Sequence, residues 1–228
     1  VSDLASTASG KGAALVGGMI ADNVTINVPA DYSTIAAAFA YVATKTITRG
    51  AVVTIKVADG THTLSAGLLL NHPQGESIRL IGNQTTPANC IITVSGAPTF
   101  DALTVSNVHT LGLLDGFKFS LASKATSPNN YTAILSLNGG NIICGSKIVT
   151  DNWYYGIAAR VGSSIYCRSA VVSNAGDVGI WAFIGSSIDC QSAVVSSCSD
   201  SANTLGWGIE AEYGSSIDCT SATISGCY

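Results

Sequence analysis

Along the last third of the chain, apolar and polar positions alternate with a period of two inside short runs, and the runs themselves recur. In "GIEAEYGSSIDC", residues 208–219, Ile209, Ala211 and Tyr213 fall on one face and Glu210 and Glu212 on the other, which is the alternation of a strand. Ile217 and Cys219 then share a face, a Ser-Ala corner follows, and Ala222 and Ile224 agree in "ATIS". Gly156-Ile157, Gly179-Ile180 and Gly208-Ile209 head three such units. Ile165, Ile188 and Ile217 follow at equivalent places, then Cys167, Cys190 and Cys219, then Ala170, Ala193 and Ala222. Gly139, Ile142 and Cys144 open a fainter unit, so the cysteine spacings are 23, 23 and 29. A unit this short, with three strands and three corners, has no partner for its own apolar face, so units must stack. The pattern predicts an all-β chain, a right-handed single-stranded parallel β-helix with one coil per repeat and coils about 4.8 Å apart.

Upstream, "VVTIKVADGTHTL" (52–64), "GLLLNHPQGESIRLIGN" (67–83) and "CIITVSG" (90–96) read as strands separated by glycine-containing turns. "ALTVSNVHTLGLLDGFKFS" (102–120) continues the rhythm in longer coils. The one helical pattern is "DYSTIAAAFAYVATKTI" (31–47), with Asp31 or Ser33 as its cap and Ile35, Phe39 and Val42 as its apolar stripe. Placed over the first coil, such a helix protects an open sheet edge. Three regions follow: a neck or linker over residues 1–23, a strand and capping helix over 24–50, and β-helix coils over 51–228, read as cut short at their far end.

Composition narrows the function classes. Charged residues are only 11%, the net charge is −4, and the ten Lys and Arg are scattered, so neither nucleic acid nor an anionic membrane is an expected partner. No apolar run reaches the roughly 18 residues of a membrane span. Seven cysteines without a CxxC pair or a His/Cys cluster suggest buried thiols of a chain made in a reducing compartment, with disulfides as the alternative. His62, His72 and His109 lack ligand spacing, so no metal site and no cofactor is expected. The repeated Ser163-Ser164 pair reads as corner chemistry, since a nucleophile needs one activated copy beside a base.

"DLASTASGKGAALVG", "STIAAAFAYV" and "VTIKVADGTHTLSAGLLLNHPQGESIRLIG" resemble the head-to-body junction of bacteriophage tailspike and tail-fibre proteins with a pectate-lyase-like β-helix. The resemblance extends from residue 3 over most of the chain. It implies a homotrimeric virion protein, synthesised in the bacterial cytoplasm and joined through its N-terminal side to the phage tail, baseplate or other spike proteins. It also implies attachment to host surface polysaccharide, often with depolymerase activity. A structural adaptor of the tail and a secreted pectate-lyase-like enzyme are the alternatives.

Stacking the repeats puts the outward residues in columns: Ala158, Trp181, Glu210; Arg160, Phe183, Glu212; Tyr166, Asp189, Asp218; and Arg168, Gln191, Thr220. Trp181 and Phe183, read as exposed, with Arg160 and the carboxylates make a candidate sugar platform. Trp153, Tyr154, Tyr155, Asp177 and Trp207 add to it from the loops, and the long repeat carries six extra residues there, within "SCSDSANTLGWG". Glycoside hydrolysis needs a carboxylic acid and a carboxylate. The candidates are Glu210 with Glu212, about 6.6 Å apart on one strand, and Asp189 with Asp218, one coil apart and close enough for repulsion to raise one pKa. The competing reading of these aromatics is contact between subunits.

Overall fold

The computed structural model describes residues 15–16, 18–127, 130–199 and 206–227. Three parallel sheets carry the chain. The first holds Leu68–Leu70, Leu103–Ser106, Thr132–Leu137, Tyr155–Arg160, Ile180–Phe183 and Ile209–Glu212, in that order. The second runs Val24–Val28, Val53–Val57, Ile78–Ile81, Thr110–Asp115, Asn141–Cys144, Ser164–Tyr166, Ser187–Asp189 and Ser216–Asp218. The third runs Gly60–Leu64, Cys90–Val94, Phe117–Ser120, Ile148–Asp151, Val171–Ser173, Val194–Ser196 and Thr223–Ser225. From Thr132 onward the chain visits the sheets in rotation, and each turn adds one strand to every sheet.

The expected register is the observed one. Ile142, Ile165, Ile188 and Ile217 pair in a column of the second sheet, and Ile134, Ile157, Ile180 and Ile209 do so in the first. These rungs point inward and are buried until the last described turn. Each fully buried isoleucine contributes roughly 1.5–3 kcal/mol, so the stack as a whole supplies what a single turn lacks. Cys167 and Cys190 are buried in the same stack, Cys144 is half-buried, and Cys219, on the last turn, is exposed. All seven thiols are free. Burial, followed by the neighbouring Cys144 and Cys190, drives the Cys167 pKa well above its usual value.

Corners repeat as faithfully as strands. The first sheet ends in two left-handed residues per turn: Asn138-Gly139, Val161-Gly162, Ile184-Gly185 and Tyr213-Gly214. One left-handed serine, Ser169, Ser192 or Ser221, bends the chain out of the second sheet. Corner amides bond the next turn's carbonyls, for example Val161 N–H to Phe183 O at 3.0 Å and Ser169 N–H to Gln191 O at 2.9 Å. The first serine of each Gly-Ser-Ser is a tie between turns. Buried Ser163 donates its hydroxyl to Arg160 O at 2.7 Å and accepts Gly139 N–H at 3.1 Å. Ser186 repeats this one turn on, donating to Phe183 O and accepting Ser163 N–H.

Near the N-terminal end the expected helix cap is corrected. The helix, α1, spans Ile35–Ala43 and is capped by Thr34, whose hydroxyl accepts Ala37 N–H at 3.1 Å. Asp31 instead accepts the backbone and side-chain N–H groups of Asn27, closing the turn before the helix. Ile35, Ala38, Phe39 and Val42 bury the apolar stripe against Val24–Val28, Val53–Val57 and Leu68–Leu70. Within the expected neck or linker, Leu15–Val16 and Met19–Ile20 pair antiparallel, and Thr46–Ile47 joins them. Residues 1–14 of the expected neck lie outside the described residues. Tyr213, assigned inward by simple alternation, faces out with 73% of its surface exposed, because the left-handed corner has already turned the chain.

Candidate functional site

The predicted columns exist. Leu135, Ala158, Trp181 and Glu210 are successive partners on the first sheet, as are Leu137, Arg160, Phe183 and Glu212. A continuous aromatic file crosses them. Tyr154 meets Tyr155 edge-on at 4.8 Å, Tyr155 stacks on Trp181 at 4.8 Å, Trp181 tilts on Phe183 at 4.8 Å, and Phe183 meets Tyr213 edge-on at 5.0 Å. The Arg160 guanidinium lies 5.2 Å from the Trp181 ring centre and 5.8 Å from that of Phe183, a cation–π arrangement.

Trp181 does not offer the open face the sequence suggested. Only 9% of it is exposed, and it forms a second, outer cluster with Leu135, Ala158 and Val178. Its indole N–H donates to Glu212 Oε2 at 3.1 Å. Trp153 is also corrected, since it is fully buried inside the stack. On this face the rings most open among the described residues are Tyr213 and Trp207, the latter 42% exposed, with Tyr154, Tyr155 and Phe183 half-buried. Trp207 takes the place held by Val178 and Tyr155 in earlier turns, because Gly156 N–H bonds Val178 O and Gly179 N–H bonds Trp207 O. Sequence reasoning missed Tyr213; the glycine that follows it, shared with Val161 and Ile184, was the available sign of a corner. Of the long repeat's insertion, residues 200–205 lie outside the described residues.

Three carboxylates border the file. Partial burial, then the nearby charges of Glu212 and Asp177, raises the Glu210 pKa. Burial and the same Asp177 push the Tyr155 phenol up to about 12. Glu210 and Glu212 therefore have different surroundings: one holds its proton more tightly, the other accepts an indole hydrogen bond. That asymmetry is what acid–base work requires of a carboxyl pair. In a titration of side-chain carboxyls followed by NMR, Glu210 is expected above 4.5 and to fall back toward it in Glu212→Gln. An unchanged midpoint in that variant would mean the two groups do not sense one another.

Asp189 and Asp218 do not join this surface. They lie on the second sheet, paired with Tyr166 and with each other, so the four candidate acids form two sites and not one. Tyr166, Ser187, Asp189, Ser216 and Asp218 line a shallow groove of about 350 Å³ there. Arg168 clamps Asp189 Oδ2 through Nη2 at 2.7 Å and Nε at 2.9 Å. Gln191 Nε2 donates to Asp218 Oδ2 at 2.6 Å, and the Thr220 N–H and hydroxyl donate to Oδ1 at 3.0 and 2.7 Å. The Gln191 and Thr220 bonds lower the Asp218 pKa. The expected rise by mutual repulsion is thus reversed for Asp218, because each carboxylate has its own donors.

Two histidines bond the backbone of the fold. His72 is buried, with Nε2 on Lys45 O at 2.9 Å and Nδ1 accepting Gln74 N–H at 3.0 Å, and His62 Nε2 meets Ala58 O at 2.9 Å. Among the described residues no three His, Cys, Asp or Glu side chains converge as metal ligands, and no helix is long and apolar enough to cross a membrane. Comparison of the chain with family models, with curated proteins and with solved structures finds no match.

Proposed function

We propose that the chain is the head-proximal part of a bacteriophage tailspike or tail fibre, a right-handed parallel β-helix that trimerises and attaches the virion to host surface glycan. The helix reading is supported by three parallel sheets that each gain one strand per turn, and the family reading by the junction-like sequence from residue 3 onward. On this reading the N-terminal side meets the tail or baseplate and the outward face of the first sheet meets polysaccharide.

The observation that carries glycan recognition is the aromatic file flanked by Arg160, Asp177, Glu210 and Glu212. Apolar ring faces beside a few polar groups are the make-up of a small-ligand surface. Three carboxylates against one guanidinium leave the surface negative, so neutral or amine-bearing sugars are favoured over uronate-rich ones. The test is calorimetry of the purified chain, with its oligomeric state read by light scattering, against neutral, amine-bearing and uronate-containing polysaccharides. Saturable binding to one of the first two classes is the expected result. Binding to none of them, together with capture of a phage tail protein, would replace this reading with that of a structural adaptor.

A further inference from the structure

Two of the seven thiols differ from the rest. Cys198 and Cys227 follow equivalent strands, Val194–Ser196 and Thr223–Ser225, which pair in register as neighbours of the third sheet. Their sulfurs occupy the same niche one turn apart. The Cys198 Sγ sits under Gly179 and the Cys227 Sγ under Gly208, where a side chain would come within 3.0 and 3.3 Å of them. The Cys198 N–H points at the Cys227 Sγ, 3.4 Å away. Cys198 is buried, and Cys227, on the last described turn, is half-buried beside it. The Cys144–Cys167–Cys190–Cys219 column lacks this contact. There the Cys190 amide is committed to Asp218 O at 2.9 Å and the Cys167 amide to Asp189 O at 2.7 Å.

We infer that Cys198 and Cys227 form a modification site, a thiol pair that closes to a disulfide between adjacent turns when the protein meets peroxide. Cys227 is oxidised first: its sulfur takes one oxygen from hydrogen peroxide, giving a sulfenic acid and water. The Cys198 sulfur then attacks the Cys227 sulfur, an S–S bond forms, and the hydroxyl leaves with the Cys198 proton as a second water. In sum, two thiols and one peroxide give one disulfide and two waters. Neighbouring strands of a parallel sheet are close enough for such a bridge, given the usual Cα separation of about 4.4–6.8 Å in disulfides. The bridge would span the long repeat, because Ser199 and Gly206 pack together at the base of its insertion and Cys198 immediately precedes that base.

The test is thiol counting in denaturant before and after treatment of the folded chain with hydrogen peroxide, with non-reducing peptide mapping. The seven thiols of the sequence should fall by two, the map should show a Cys198–Cys227 link, and Cys198→Ser should show no link. Dithiothreitol should restore all seven. Seven surviving thiols, a sulfinic acid at Cys227 without a link, or a Cys190–Cys219 link would each overturn the assignment. The map on the unmodified chain stands without any variant, so a folding defect in Cys198→Ser leaves the outcome decidable.

Discussion

Gly179→Ala is expected to destabilise the protein by about 2–3 kcal/mol, the cost of overpacking a closed site, and to lower the melting midpoint by roughly 5–10 °C at this chain length. A Cβ at Gly179 would lie 2.6 Å from Gly208 O, 2.6 Å from Val195 Cγ1 and 3.0 Å from Cys198 Sγ. Gly156, one turn earlier, meets Gly179 O and Val172 Cγ1 at the same 2.6 Å. The conflict is with a backbone carbonyl of the adjacent turn, which moves only if the 2.9 Å bond from Ile180 N–H to that carbonyl is sacrificed. Gly185→Ala is the control. Gly185 has φ +64° but open space around its Cα, so its replacement costs only the left-handed backbone term, roughly 1 kcal/mol. Equal losses at both positions, read by thermal unfolding, would show that turn-to-turn approach is not what the repeat glycine protects.

The stacking of short strands into parallel sheets was readable from the sequence, and the details were less so. Repeats with spacings of 23, 23 and 29 fix which residues stack, since a parallel in-register pair is the one arrangement that keeps every isoleucine inside. The columns Ala158–Trp181–Glu210 and Tyr166–Asp189–Asp218 followed from that register alone. What period-two reading does not contain is where a strand stops. Tyr213 keeps the alternation of Ile209 and Ala211, yet the left-handed pair Tyr213-Gly214 ends the strand and turns the ring outward. The helix cap was misplaced for a similar reason: Asp31, Ser33 and Thr34 all suit a cap, and the choice fell to Thr34 once Asp31 was engaged by Asn27.

For the site, sequence supplied the columns but not the occupancy of each face. Outward-pointing does not mean accessible when the side chains beside the column are large. Trp181 projects away from the main core, then disappears beneath Tyr155, Phe183 and Arg160. Nor does adjacency of two aspartates mean repulsion. Asp189 and Asp218 stack as expected, but Arg168 answers the first and Gln191 with Thr220 the second. Glu210 is the converse case, since its neighbours Glu212 and Asp177 are both acidic.

The second large effect is expected at Trp207 and Tyr213. If glycan stacks on the open rings of this face, each alanine substitution should weaken binding about tenfold and the double variant about a hundredfold, on the order of 1.4 kcal/mol per ring. Both rings are exposed, so the fold should tolerate their loss. Trp181→Ala is no substitute, because removing that buried ring should cost roughly 3–5 kcal/mol of stability and confound any binding result. Charge then separates binding from cleavage. Should the same face hydrolyse its glycan, Glu210, whose proton is held more tightly, is the acid, and Glu212, hydrogen-bonded by the Trp181 indole, is the base. Alternate residues on one strand sit about 6.6 Å apart, at the lower edge of the roughly 6.5–9.5 Å range for inversion. Glu210→Gln should therefore cut reducing-end release at least a hundredfold while leaving affinity within about threefold, because the amide keeps the shape and loses only the proton. Release at the unmodified rate in both Glu210→Gln and Glu212→Gln would remove hydrolysis from this face, and binding lost in parallel with release would make the carboxyls part of recognition alone.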